Sequence, residues 1–138
     1  MANTKPIGVA FEDQNIIGAD YVYAAGEIGY SAAGQGTVTQ ATDKTTGVTL
    51  NKSMGRITMN GAALAGNTAV SFTLTNSLLS VKDVIVVCIS AGATATAYSV
   101  YVSSMTAGSA VITLRNLTAS TSYSEAVVVN FAIIHGAP

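Results

Sequence analysis

His135 is the only histidine of the chain and Cys88 its only cysteine. A nucleophilic triad around His135 needs a serine and an aspartate that only the fold can bring to it. Serines are plentiful here, so that pattern has almost no specificity. A zinc site takes three or four His, Cys or carboxylate ligands, and one His with one Cys falls short. Cys88 lies in the apolar run 84–89 with no base or cation beside it in sequence. A reactive thiol needs such a neighbour, so Cys88 is expected to be a small buried hydrophobe in a central strand. One cysteine excludes an intramolecular disulfide and fits synthesis in a reducing cytoplasm.

The remaining chemistry is weaker. Glu12, Asp13 and Asp20 form an acidic group, but it lacks the alternating carboxylates and closing Glu of a calcium loop. A solvated or interface-paired acid cluster is the expectation. Gly26-Glu27-Ile28-Gly29 has no GKS/T ending and no strand–loop–helix unit around it, so it is no phosphate loop. Tyr98, Tyr101 and Tyr123 could line an exposed sugar-binding face; packing or interface contacts are the competing role for the same rings. Paired carboxylates in a cleft are not evident. The residues therefore predict no catalytic site, no metal, no cofactor and no enzyme activity.

The elements that would position these residues read as strands. In residues 70–75, Val70, Phe72 and Leu74 alternate with Ser71, Thr73 and Thr75, the period of a strand with one buried and one wet face. Further strands are expected at 37–41, 47–50, 55–59, 84–90, 97–103, 110–116 and 125–134, separated by turn residues. The run 84–90 does not alternate, which predicts burial on both faces. Strand 125–134 is apolar on both faces and is expected to be central in its sheet or at an oligomer interface. Residues 61–67 read as a loop or brief helical turn. About eight strands with no amphipathic helix predict an all-β protein, an antiparallel β-sandwich of jelly-roll-like kind, over residues 37–138.

Residues 1–36 differ. They hold four of the seven acids and three of the six tyrosines, and glycine interrupts every apolar run. They read as an extended N-terminal arm that orders against something else, or as edge strands of the same domain. Residues 31–36 look like a flexible hinge. Phe11, Ile16, Ile17, Tyr21 and Tyr23 are the expected anchors of an interface with a partner or neighbouring subunit, because aromatic and aliphatic anchors dominate interfaces.

Composition bounds the partners. The chain has 138 residues, 49% hydrophobic and only 9% charged, against about 25% charged in an ordinary soluble domain. So little charge covers little surface, which implies that other protein chains cover much of it. Six scattered basic residues and a net charge of −1 argue against nucleic acid and anionic membrane as partners. No run approaches the ~20 apolar residues of a membrane helix, and the start of the chain has no unbroken apolar core of a signal peptide.

The segments TVTQATDKTTGVTLNK (37–52), GRITMN (55–60) and VSFTLTN (70–76), with the closing SEAVVVNFAII (124–134), resemble a small β module of tailed-bacteriophage structural proteins. The similarity covers roughly residues 37–136. With a polar arm and no long shaft before it, the chain looks like a free-standing capsid decoration protein of the cement or head-fibre kind. The resemblance implies a homotrimer on the capsid exterior, made in the host bacterial cytoplasm, with the phage major capsid protein as partner. It implies no catalytic residues. The same module ends tail fibres, which keeps a fibre-tip or adhesin module binding a host-surface glycan or receptor as the alternative.

Overall fold

The computed structural model describes residues 20–136. After an extended segment and a three-residue 3-10 turn, Ala32–Gly34, the strands are β1 (Gln35–Thr39), β2 (Val48–Thr49), β3 (Met54–Thr58), β4 (Ala69–Thr75), β5 (Val84–Ala91), β6 (Tyr98–Thr106), β7 (Ser109–Asn116) and β8 (Val128–Ile134). They form two four-stranded sheets, a first in the order β1-β3-β8-β5 and a second in the order β2-β4-β7-β6. The protein is all-β, with the two sheets packed together.

The sheets are mixed, which corrects the antiparallel expectation. β1 pairs parallel with β3, and β2 parallel with β4; the other pairs are antiparallel. The cause is the chain path. From β1 to β4 the chain changes sheet at every connection. Two reversals bring it back to its starting layer running in its starting direction. Alternation within a strand reports which face is buried, not which way the neighbour runs, so the sequence pattern could not show this.

The core lies between the sheets. Ile57, Phe72, Leu74, Ile112, Leu114, Val129, Phe131 and Ile133 are each 2% exposed or less. β8 is central, as its two apolar faces predicted. β3 carries Gly55 opposite Phe131. A Cβ there would stand 2.5 Å from both Leu50 Cδ2 and Phe131 Cε1, so the absent side chain is what lets the ring lie on the strand. Gly108, at φ +80°, takes the turn of the β6–β7 hairpin, a conformation that side chains with a Cβ resist.

Buried polar side chains tie the loops down. Asn116, fully buried, donates to the carbonyls of Leu64 and Thr121, both at 2.9 Å, and accepts from the Thr118 amide at 3.0 Å. Asn76 donates to Lys52 O at 2.7 Å and accepts from Leu78 N at 3.0 Å. Gln40 donates to Lys44 O and Thr46 O and accepts from Asn60 N. Lys44, between β1 and β2, is 3% exposed. Its Nζ donates to the carbonyls of Asn60 and, at 2.6 Å, Glu125. Buried backbone carbonyls need such partners; Lys44, Asn76 and Asn116 supply them across long sequence separations and Gln40 within its own loop. Residues 61–67 form a loop with one bridge, Leu64 to Tyr123.

β5 corrects a second expectation. It is an edge strand, not a central one. Val84 is 57% and Val86 52% exposed. Cys88 is exposed rather than buried.

Candidate assembly surface

The candidate chemistry is used for structure. Asp83 and His135 come together, with Nδ1 of the ring 3.2 Å from Asp83 Oδ2. This is the carboxylate–imidazole half of a triad. Ser80 is present too, but its hydroxyl donates to Asp83 Oδ1 at 2.9 Å rather than to the ring. The carboxylate also accepts from the Ser80 amide at 2.8 Å and the Gly136 amide at 3.0 Å. The Ser80 amide foremost, with the Gly136 amide, the Ser80 hydroxyl and His135 adding to it, holds the Asp83 carboxyl down at about 2. The cluster therefore pins the end of β8 to the entry of β5.

At the other end of the sandwich, Glu125 accepts from the Thr94 hydroxyl at 2.7 Å and the Thr94 amide at 3.1 Å. These bonds, the hydroxyl first, hold its carboxyl below the usual range. Burial lowers the Lys44 ammonium, partly offset by the charge of Glu125. The Tyr98 hydroxyl is buried with no hydrogen-bond partner among the described residues, and burial first, then Glu125, raises its pKa. Among the described residues no three His, Cys, Asp or Glu side chains gather as a metal would need.

The three tyrosines do not share an exposed face. Tyr98 is 9% exposed and packs in the core. Tyr123 lies against it with ring centroids 5.9 Å apart. Tyr101 alone stands out on the opposite side of β6, 46% exposed. A strand side chain and its neighbour point to opposite faces after one step, and Tyr98 and Tyr101 are three steps apart.

The arm is different. Of the expected anchors, Phe11, Ile16 and Ile17 lie outside the described residues. Tyr21 is 76% and Tyr23 88% exposed, their rings stacked on one another at 5.9 Å. Val22 and Ile28 are exposed as well. The segment is tied to the sandwich only from Tyr30 onward: the Tyr30 hydroxyl donates to the Ile133 carbonyl, Gln35 Nε2 to Tyr30 O at 2.8 Å, and Lys52 Nζ to Ala33 O at 2.8 Å. The expected hinge thus holds the 3-10 turn and the start of β1.

Beside this anchor lies the outer face of the first sheet. The strand register sets its rows: Gln35, Met54, Ala132 and Val86 in one, Thr37, Arg56, Asn130 and Cys88 in the next. Val84 and Ile134 face each other at the near end, Ile134 60% exposed. The β5–β8 half is apolar from Val84 and Ile134 to Val86 and Ala132, and ends in a polar pair, Ser90 donating to Asn130 Oδ1 at 3.0 Å. The β1–β3 half holds a shallow cleft of about 370 Å³ lined by Gln35, Thr37, Met54, Arg56 and Asn130. Arg56 is the one charged side chain in these rows and makes no ion pair among the described residues. A second groove, of about 600 Å³, runs between residues 27–31 and Gln35 and Met54, joining the cleft to the arm. Sequence reasoning flagged the β8 part of this surface, through the oligomer-interface alternative for strand 125–134, and missed the β5 part, which it read as buried. The missing alternation of residues 84–89 was its signal, because partner chains and sheet interiors select the same side chains.

No protein-family model, no curated protein and no solved structure matches this chain in the comparisons made with them. Among the described residues no helix is long and apolar enough to cross a membrane.

Proposed function

We propose that the protein is a structural component of a tailed-phage virion, a homotrimeric decoration protein that binds the major capsid protein and stabilises the shell from outside. The observation that carries the proposal is the pair of uncovered apolar surfaces, arm and first-sheet face, on a chain with only 9% charged residues. The resemblance of residues 37–136 to a phage β module supplies the setting. In this reading the sandwich is a jelly-roll-like platform, made in the host bacterial cytoplasm. The arm, through Phe11, Ile16, Ile17, Tyr21 and Tyr23, makes the contacts to capsid and neighbouring subunits. Many symmetric copies give avidity from individually weak contacts.

Co-sedimentation with shells of the major capsid protein tests it. The full chain should pellet saturably, and deletion of residues 1–30 should abolish pelleting while far-UV circular dichroism stays β-rich. Retained binding by the deleted chain sinks the arm model. A fibre-tip or adhesin role draws on one observation, Tyr101 exposed beside hydroxyl side chains on the second sheet. A saturable glycan-array signal lost in Tyr101→Ala would favour it.

A further inference from the structure

We infer that residues 20–28 of one copy pack on the outer face of the first sheet of a second copy, along β5 and β8, and that this exchange holds the oligomer together. The inference rests on the homo-oligomer of the proposed function and not on capsid binding.

Two unpartnered surfaces of one chain match each other in chemistry. The arm segment offers Tyr21, Val22, Tyr23 and Ile28, all more than 60% exposed. The face offers Val84, Val86 and Ile134, more than 50% exposed, with Ala132 and Cys88 among them. Charge matches as well. Residues 1–36 carry four acids and one lysine, a net −3, while residues 37–138 carry five basic and three acidic residues, a net +2. In the described segment the acids are Asp20 and Glu27. On the face the charge is Arg56, with Lys82 two residues before β5. Among the described residues of the single chain, Tyr21, Val22 and Tyr23 and the β5–β8 face all stay exposed, while residues 27–31 only border the β1–β3 half.

Area favours exchange over face-to-face stacking. Four strands about 4.8 Å apart and some seven residues long present on the order of 400 Å². A stable interface takes about 800 Å² per partner. Each copy in an exchange both receives an arm on its face and donates its own, so two contacts add up per copy where stacking gives one. Arm and face are different patches, so the exchange is either reciprocal between two copies or head-to-tail, and a head-to-tail contact closes into a ring where its rotation permits. β5 is also an edge strand eight residues long with no proline or charge within it, an edge that natural proteins ordinarily blunt or cover.

The test uses the full chain. A Tyr23→Cys, Cys88→Ser chain is co-expressed with a larger-tagged chain that keeps Cys88, and the purified oligomer is treated with a short bismaleimide. The expected product joins one chain of each size. The inference is overturned by a link confined to one chain when Tyr23→Cys and Cys88 share it. It is equally overturned by no link while both thiols still label with a monofunctional maleimide, or by a monomer in sedimentation of the untreated wild type. Ile28→Cys repeats the test should Tyr23→Cys disturb the arm. Arg56→Glu should raise the dissociation constant at least tenfold, and adding Glu27→Lys to the same chain should recover most of that loss; no effect of either change also overturns the inference. Shell binding is read separately, so an intact oligomer that ignores shells would sink the capsid assignment and leave the exchange standing.

Discussion

The two outer faces of the sandwich come from strands of similar length in one chain, yet they meet their surroundings differently. On the second sheet, β4, β7 and β6 turn out Ser71, Thr73, Thr75, Thr113, Ser99 and Ser103. Three of them partner one another. Thr113 meets the Ser71 hydroxyl at 2.8 Å and donates to Ser103 at 2.9 Å, and Ser103 donates to the Val111 carbonyl at 3.3 Å. Thr113 is only 4% exposed, covered by its own neighbours. On the first sheet, the β5–β8 half turns out exposed Val84, Val86, Cys88 and Ile134 beside half-buried Ala132, with Asn130 and Ser90 at its far end. Cross-strand hydroxyl pairs suit water; a contiguous exposed apolar patch marks an interaction site. The difference teaches that burial in one chain and burial in an assembly are written with the same side chains.

The comparison breaks most visibly at Val86. Val86→Lys should place an unpaired charge in the covered face, at a cost of about 3 kcal/mol or more. Sedimentation equilibrium should then show at least a hundredfold weaker association. Thr73→Lys on the second sheet should change it less than threefold, since exposed substitutions stay within about 0.5 kcal/mol. Equal losses from the two changes would erase the distinction between the faces.

Gly55→Ala sharpens the comparison by striking the inside of the first sheet without touching its outside. Overpacking against Leu50 and Phe131 should cost about 1–3 kcal/mol. The melting temperature should fall. The association constant, measured well below the melt, should stay unchanged.

Asp83, at the entry to β5, gives an acid dependence. Its folded carboxyl sits at about 2 against an ordinary 3.8. The folded state therefore binds the proton less well than the unfolded chain, and the stabilisation is present in full above pH ~4. It is lost as the pH falls from there toward 2. Denaturant melts across that window should show the fall in wild type and a shallower one in Asp83→Asn, which should also be the less stable protein at pH 7. A slope unchanged in Asp83→Asn would assign the acid sensitivity to other carboxylates.

The smallest effect belongs to the second face. Thr113→Val removes the hydroxyl between Ser71 and Ser103 and should cost about 1 kcal/mol or less, with association unaffected. A change in association there would place the second face in the interface too.

The sequence by itself determined the all-β class and, within a residue or two, most of the strands. Side-chain alternation is a local property, visible wherever one face meets the core, as at Phe72 and Leu74. It also marked β8, apolar on both faces, as central in its sheet or at an oligomer interface, and the sheet order makes it central. Other features were decided only by the tertiary structure. The parallel pairs β1–β3 and β2–β4 depend on which layer each connection enters. The burial of Lys44 depends on carbonyls at Asn60 and Glu125 that are distant in sequence. Pairing Asp83 with His135 needs the ends of two neighbouring strands to coincide. The run 84–89 shows the limit most clearly. Its apolar pattern specifies that both faces want cover, and only the fold reveals that one of them lacks it within the chain.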